Sequence, residues 1–124
     1  MAAPDREVYV MVGDGSWLMM SSELVTSLQE RVKLIIVLID NHGFASIGAL
    51  SESLGSGGFG TEYRYRDPDR AQRGSVLPVD LAANAESLGA CVFRTRTIAE
   101  LRRALEEAKG VDRSVVIAIE TDRG

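Results

Sequence analysis

The sequence predicts an α/β fold, a three-layer sandwich in which helices cover both faces of a mostly parallel β-sheet. Short runs of β-branched and other apolar residues, such as residues 33–39, have the composition of strands that are buried on both faces. Longer segments between these runs carry apolar residues three or four positions apart, which is the spacing of one helix face. Strands that alternate with helices in this way are typical of parallel sheets. The 124 residues are enough for one such domain.

The predicted elements follow one another as strand, helix, strand, loop, helix, strand, helix and strand. The first strand covers residues 8–12, and the first helix covers residues 21–31, where apolar side chains recur every fourth position. The loop covers residues 55–75, which are rich in glycine and arginine, and loops of this length in compact domains are often functional. The other predicted strands are residues 33–39, 90–94 and 114–120, and the other predicted helices are residues 80–88 and 98–108.

Composition and charge argue against several classes of protein. The net charge of -4 at pH 7 disfavours a general nucleic-acid binder, which would carry a basic face. Cys91, the single cysteine, stands among apolar residues, so we expect a small core residue rather than a catalytic thiol. No run approaches the roughly 18 apolar residues of a membrane span, and the N-terminus lacks the apolar core of a secretion signal. We therefore expect a cytoplasmic protein that binds neither nucleic acid nor membrane.

A short polar turn follows each of the first two predicted strands. The first turn, "GDGS", contains Asp14, and the second, "DNHG", contains Asn41, which lies 27 residues further along the chain. One helix and one strand fill the interval, which is the arrangement of a single βαβ crossover. Since such a crossover makes its two strands parallel, we expect both turns at one edge of the sheet, where open α/β sheets bind ligands.

The side chains of these turns offer oxygen atoms to a metal ion. Asp14 has a carboxylate, Asn41 has an amide oxygen, and Gly43 can turn its carbonyl inward. With two phosphate oxygens and one water, these groups would complete the six oxygen ligands that magnesium prefers. We therefore predict a magnesium site formed by Asp14, Asn41 and Gly43.

The same turns can receive a diphosphate group. Gly13 and Gly15 allow the backbone to approach a ligand closely, and the amides of Gly15 and Ser16, with the Ser16 hydroxyl, can donate to phosphate oxygens. A bare anion would be repelled by Asp14, so a metal ion is needed between the acid and the phosphate. A noncatalytic phosphate-binding module stays possible, but no Gly-x-Gly-x-x-Gly follows the first strand and no Gly-Lys-Ser/Thr is present.

The stretch "GDGSWLMMSSELVTSL…VLIDNHGF" resembles the cofactor motif of thiamine-diphosphate-dependent enzymes. In that motif Gly-Asp-Gly precedes, by some two dozen residues, a pair that is usually Asn-Asn, and here 24 residues separate Gly15 from Asp40. Asp40 replaces the first Asn of the pair, and Asn41 keeps the second. The resemblance implies that the predicted magnesium ligands hold the ion and that the cofactor is thiamine diphosphate. The cofactor-binding residues would then be Gly13, Asp14, Gly15, Ser16, Asn41, Gly43 and Phe44.

Within this family, the stretches "DNHGFASIGALSESLGSGGFGTEYRYRD" and "LPVDLAANAESLGA" resemble the trihydroxycyclohexane-1,2-dione hydrolases of myo-inositol breakdown. The resemblance implies hydrolytic opening of a cyclic dione to 5-deoxyglucuronate by a homodimer or homotetramer. Residues 1–124 would be part of the C-terminal diphosphate-binding domain, with the fold truncated. The catalytic glutamate would come from the pyrimidine-binding domain of another subunit, so no catalytic residue is predicted in this chain and the isolated chain is expected to be inactive.

Several alternatives stay open at the level of the sequence. An acetolactate-synthase-like or decarboxylase-like thiamine-diphosphate enzyme would share the motif and differ in substrate. Phe44 and Ile47 could line the pocket of the thiazolium ring or pack in the core, and Trp17 is expected to pack rather than bind. The remaining polar candidates, which could touch substrate or belong to solvated loops, are His42, Glu62, Arg64 and Arg66, and the pair Arg94 and Arg96 is expected at the surface.

Overall fold

The structure, a computed structural model, describes residues 5–67 and 74–121. Within these residues a parallel sheet of four strands, in the order β1-β2-β4-β3, packs with five helices, which confirms the predicted α/β class. The elements in chain order are β1 (Val8–Gly13), α1 (Asp14–Met20), α2 (Glu23–Gln29), β2 (Leu34–Asp40), α3 (Ala45–Ser53), α4 (Leu81–Ser87), β3 (Cys91–Thr95), α5 (Ile98–Lys109) and β4 (Val115–Glu120).

Two apolar clusters lie on opposite faces of this sheet. Successive strand residues point to opposite faces, so Ile36 and Val116 join one cluster while Ile35 and Val115 join the other. Side chains of α1, α2 and α4 complete the first cluster, and side chains of α5 complete the second. Cys91 packs beside the α5 cluster, as expected of a small apolar residue. The three layers of the predicted sandwich are therefore helices, sheet and helix.

The predicted parallel orientation of the first two strands is confirmed. β1 and β2 are adjacent and parallel, with Val12 opposite Leu38 and Gly13 opposite Ile39. Their C-terminal ends therefore reach the same edge of the sheet. This register places the two polar turns side by side.

Strong local signals begin and end the later helices where the sequence predicts them. Asp80 accepts a hydrogen bond from the Ala83 amide at the start of α4, and Gly89, with φ of 98°, follows its end. Thr97 and Glu100 form a capping box at the start of α5. These two helices therefore carry their own boundaries in the sequence.

Two helices, α1 and α3, were not predicted. α1 begins directly at Asp14 inside the turn sequence, and neither it nor α3 has a side-chain hydrogen bond at its N-cap. Gly48 lies within α3, and its missing side chain allows Thr61 to approach, since a Cβ there would lie 2.9 Å from the Thr61 Oγ1. Tertiary contacts rather than local propensity therefore stabilise both helices.

Residues 8–12 form a strand as predicted, but this strand is not covered on both faces as the predicted sandwich implies. β1 is an edge strand, and 41% of Val8, 48% of Tyr9 and 75% of Met11 are exposed. The reason is that α5 packs over β3 and β4, and in the described part of the chain it does not extend over β1. An apolar run predicts a strand, but it does not predict whether that strand lies at the edge or in the centre of the sheet.

The predicted loop at residues 55–75 is partly ordered by backbone pairing. Glu62 forms an antiparallel bridge with Gly43, and Arg64 forms another with Val76. Residues 68–73 of this loop lie outside the described residues. The first bridge attaches the loop to the turn after β2.

Among the residues described, no helix combines the length and the apolar character needed to cross a membrane.

Candidate functional site

A cavity of about 190 Å³ opens at the C-terminal ends of β1 and β2, between the two polar turns. Its walls come from the start of α1, the turn after β2 and the start of α3. All the residues predicted to bind the cofactor line this cavity, namely Gly13, Asp14, Gly15, Ser16, Asn41, Gly43 and Phe44. The convergence of the two turns, which was inferred from one βαβ crossover, is thus present in the structure.

Asp14 is the first residue of α1 and is almost completely buried, with 1% of its surface exposed. Its Oδ1 accepts the Gly15 amide at 2.7 Å, and its Oδ2 accepts the amides of Gly43 at 2.8 Å and Asn41 at 3.3 Å. The carboxylate therefore joins the turn after β1 to the turn after β2. Within the described residues, no Lys or Arg side chain lies within salt-bridge distance of it.

Asn41 contributes a buried oxygen with no protein partner in the described part of the chain, its side-chain Oδ1. A buried carbonyl that forms no hydrogen bond costs free energy and calls for an explanation, such as an absent ion. Among residues 5–67 and 74–121, no three His, Cys, Asp or Glu side chains gather into a group that could hold a metal. A metal in this cavity would therefore rest on Asp14, on Asn41 and on backbone oxygen, a set that suits a hard cation.

Asp40, the residue before Asn41, does not line the cavity. Burial raises the pKa of its carboxyl group, and the Asp14 carboxylate adds to the increase, while hydrogen bonding and charge of His42 act in the opposite direction. His42 adopts the left-handed conformation, with φ of 60°, and its ring lies 3.4 Å from Asp40 and 3.3 Å from Glu120. The structure therefore directs His42 away from the cavity formed by its neighbours.

The two glycines of "GDG" have different surroundings. A Cβ on Gly15 would lie 2.4 Å from the Phe44 ring, whereas a Cβ on Gly13 would meet no atom of the described residues within 4 Å. Gly15 therefore allows the aromatic ring to pack on α1, a role beyond the predicted close approach of the backbone to a ligand. Gly13 faces open space at the cavity, which suits the close approach of a ligand. Ser16 is exposed beside them.

The charged side chains of the loop that the structure describes do not line the cavity. Glu62 and Arg64 form an ion pair at 2.6 Å, and the Arg66 guanidinium lies 5.9 Å from the centre of the Phe59 ring. The loop supports the site through Tyr63, whose ring meets the edge of Phe44 at 5.8 Å between centroids and 77° between planes.

A larger cavity, of about 500 Å³, lies at the C-terminal ends of β2, β4 and β3. Its charged groups include Asp80, which pairs with Arg94 at 3.0 Å, and Glu120, which pairs with Arg96 at 3.4 Å. Both arginines are largely exposed, as expected. Because these charges already have partners, the smaller cavity with the unpaired Asn41 oxygen is the better candidate site despite its size.

Sequence reasoning missed three residues that line the candidate cavity, Met19, Ala45 and Ser46, while Ile47 was considered and does line it. All three belong to α1 or α3, the helices that the sequence did not predict.

Sequence reasoning also missed a long-range hydrogen bond behind the site. Trp17 packs in the core as expected, and its indole donates to the Asn84 Oδ1 at 2.9 Å. These two residues are 67 positions apart, so no local pattern points to the contact.

Comparison with known proteins adds independent findings. The sequence profile described as "Thiamine pyrophosphate enzyme, C-terminal TPP binding domain" matches residues 1–119. The 3D-(3,5/4)-trihydroxycyclohexane-1,2-dione hydrolase of Clostridium perfringens is 46% identical over 119 residues, which cover 96% of this chain and 19% of that protein. A second such hydrolase, from Bacillus cereus, is 45% identical over 120 residues with the same coverage. The chain thus spans about a fifth of the length of these curated relatives.

Solved structures with the same fold include two decarboxylases. The thiamine diphosphate-dependent 4-hydroxybenzoylformate decarboxylase of Rhodococcus jostii superposes with a TM-score of 0.75 and 22% identity over 98% of this chain and 21% of its own. The benzoylformate decarboxylase of Polynucleobacter necessarius has the same TM-score and identity over 99% of this chain and 21% of its own. At this identity the likeness supports the fold alone.

Proposed function

We propose that this chain, which belongs to the thiamine pyrophosphate enzyme family by its match to the C-terminal TPP-binding domain, holds the magnesium–diphosphate end of thiamine diphosphate in a larger hydrolase. Thiamine pyrophosphate and thiamine diphosphate are the same cofactor. The observation that carries the proposal is a buried carboxylate, Asp14, beside a buried carbonyl oxygen of Asn41 that has no partner among the described residues. Each is costly alone, and a divalent cation would offset both costs.

In this proposal Asp14, the Asn41 Oδ1 and the Gly43 carbonyl bind Mg²⁺. Magnesium favours six oxygen ligands, so positions remain for diphosphate oxygens and water. The Gly15 amide is engaged by Asp14, and therefore Ser16, which is exposed at the cavity, would provide more of the direct phosphate contact. The open space at Gly13 would admit the phosphate chain.

The apolar wall of the cavity would meet the next part of the cofactor. Phe44 is fixed from two sides, by Gly15 beneath it and by the Tyr63 ring at its edge, and Ile47 continues the wall. Both suit contact with the thiazolium ring. When bound, the cofactor would supply a nucleophilic carbon and a ring that can accept electrons. The residues of this chain bind and orient that group and move no proton.

The proposed reaction is hydrolysis of trihydroxycyclohexane-1,2-dione between its two carbonyl carbons. The oxygen of water joins one carbonyl carbon, which becomes a carboxylate, and a hydrogen joins the other, which becomes an aldehyde, to give 5-deoxyglucuronate. The two relatives at 46% and 45% identity that are named for this dione support the proposed reaction over the decarboxylase alternative. The two decarboxylase structures, at 22% identity, support the fold alone. The remaining catalytic groups, including a glutamate from another subunit of a cytoplasmic homo-oligomer, would lie elsewhere, so the isolated chain is proposed to be inactive.

Calorimetry of the chain with thiamine diphosphate, with and without Mg²⁺, tests the cofactor proposal. We expect binding that requires Mg²⁺ and is lost in Asp14→Ala. The variant Asn41→Leu is the sharper probe, because it removes an oxygen that has no partner among the described residues. We expect it to weaken binding at least tenfold, about 1.4 kcal/mol, while the metal-free variant stays as stable as the wild type or gains up to about 1 kcal/mol.

Two results would contradict this proposal. One is an equal affinity for thiamine diphosphate when a chelator removes Mg²⁺, because binding would then need no metal bridge. The other is an Asn41→Leu variant with unchanged affinity. If the 124-residue chain alone opened the ring of the dione, the proposal that the isolated chain is inactive would be refuted.

A further inference from the structure

The hydrogen bond between Trp17 and Asn84 connects the candidate site to a helix on the other side of the core cluster. Trp17 lies three residues after Asp14 on α1, so the two side chains share one face of the helix. Asn84 lies on α4, and the indole Nε1 donates to its Oδ1 at 2.9 Å. The indole ring is 5% exposed and packs with Leu24, Leu38 and Leu81.

We propose that Asn84 is a positioning residue of the cofactor site, acting through Trp17 to fix α1 and the carboxylate of Asp14. This inference rests on the proposed function for its biological meaning, although its geometric part stands alone. Asn84 touches neither the cavity nor Asp14, so its effect can pass only through the helix.

The small size of α1 is the reason that it needs such a tie. The helix has seven residues, and its N-cap makes no side-chain hydrogen bond, so it would not persist without tertiary contacts. Only Asp14, Gly15 and Trp17 are buried among its residues. The first two are the contacts of the site itself, which leaves Trp17 as the single large side chain that anchors α1 to the core.

The indole N–H determines how Trp17 is held. A buried indole needs an acceptor, and Asn84 provides it from a helix whose start is fixed by the Asp80 cap. Without this acceptor the N–H would be left unpaired in an apolar cluster, and the ring would turn to find another partner. Any such rotation tilts α1 and moves Asp14 relative to the Gly43 amide, which lies in a different turn.

Amide hydrogen exchange tests the geometric part without any ligand. The Gly43 amide donates to Asp14 and therefore reports the separation of the two turns. In Asn84→Leu and in Trp17→Phe, which keeps an aromatic ring and loses the N–H, we expect exchange at Gly43 to rise about fivefold, equivalent to about 1 kcal/mol. Exchange at Ile117 in β4 should stay unchanged. Asn84→Asp, which keeps the acceptor oxygen, should restore wild-type exchange.

The double variant Trp17→Phe/Asn84→Leu separates positioning from general stability. If the two residues act as one unit, the double variant should exchange no faster at Gly43 than the faster single variant. The matched control is Ser87→Ala, which removes the exposed hydroxyl that donates to the Asn84 backbone carbonyl but leaves the Asn84 side chain in place, and which should leave Gly43 unaffected. Three outcomes would overturn the inference. Asn84→Leu could raise exchange at Gly43 as much in the Trp17→Phe background as in the wild type. Exchange could rise equally at Ile117, or neither single variant could change exchange at Gly43.

Cofactor titration gives the functional arm. Trp17 is the only tryptophan in the sequence, so its fluorescence reports on α1 without interference. We expect Asn84→Leu to raise the Kd for Mg²⁺–thiamine diphosphate about fivefold and Asn84→Asp to restore it. If the wild-type chain binds no cofactor, the proposed function fails, and the exchange experiment still decides whether Asn84 positions Asp14. A wild-type chain that binds and an Asn84→Leu variant of equal affinity would overturn the functional role.

Discussion

The two ends of the sheet differ in how completely this chain encloses them. At the closed end, formed by β4, β3 and α5, Val115, Val116 and Ile117 are fully buried. At the open end, formed by β1, α1 and α3, large apolar side chains are exposed, namely Val8, Tyr9, Met11, Leu18, Met19, Met20, Ile47, Leu50 and Leu54. The candidate site belongs to the open end. The most buried strand residues and the candidate site therefore belong to different parts of the same sheet, and substitutions at the two ends should have separable effects.

A pair of truncations in the sheet gives the largest expected contrast. Ile117→Ala, in the closed end, removes a side chain that is 0% exposed and should lower the free energy of unfolding by about 3 kcal/mol. Met11→Ala, in the open end, removes a side chain that is 75% exposed and should cost less than about 0.5 kcal/mol. Urea denaturation of both variants measures the difference. Equal losses would show that β1 is covered in solution and would break the comparison.

The closed end was more predictable from the sequence than the open end. The capping box of Thr97 and Glu100 and the stop at Gly89 are local signals, so α5 and α4 could be located from neighbouring residues. α1 has no such signal, because its first residues are the glycine-rich turn itself. The exposure of β1 could not be predicted either, since an apolar run does not tell which strand lies at the edge.

The candidate site was predictable to the extent that one βαβ crossover determines it. Asp14 and Asn41 follow consecutive strands that pair in parallel, so their approach follows from topology. The packing of Phe44 on Gly15 and the tie from Trp17 to Asn84 depend on tertiary contacts between residues far apart in the sequence. Such contacts leave no periodic pattern, and only the folded arrangement reveals them.

The two glycines of the open end give a contrast of intermediate size. Gly15→Ala forces a Cβ to within 2.4 Å of the Phe44 ring and should cost about 1–3 kcal/mol of stability. The Cβ added by Gly13→Ala meets no atom of the described residues within 4 Å, and the φ of -80° at this position suits alanine, so stability should change by less than about 0.5 kcal/mol. Because Gly13 borders the cavity, its variant should nevertheless bind Mg²⁺–thiamine diphosphate at least about tenfold more weakly. Thermal unfolding and calorimetry together measure the separation, and unchanged affinity in Gly13→Ala would place the phosphate elsewhere.

The smallest effect concerns Asp80, at the rim of the closed end. Arg94 donates to both of its carboxylate oxygens at 3.0 Å and lowers the pKa of Asp80, and the Ala83 amide contributes through the cap. A carboxyl group with a lowered pKa stabilises the fold above its unfolded pKa of about 4 and loses that contribution as the pH falls through its folded value. The side chain of Arg94 is 59% exposed and that of Asp80 is 50% exposed. Solvent screening therefore limits the contribution of the ion pair to stability to about 0.5 kcal/mol or less.

Two substitutions separate the cap from the ion pair. Asp80→Ala removes both and should cost about 1 kcal/mol at pH 7, most of it from the cap. Asp80→Asn keeps an acceptor for the Ala83 amide and should differ from the wild type only by the small contribution of the ion pair. Urea denaturation at pH 7 and pH 3 should show the Asn variant approaching the wild type at the lower pH, because protonation of Asp80 removes the charge that the variant lacks. If the difference in free energy of unfolding between the wild type and Asp80→Asn grew as the pH fell, the lowered pKa of Asp80 would be contradicted. The contact with Arg94 would then have no electrostatic effect on stability.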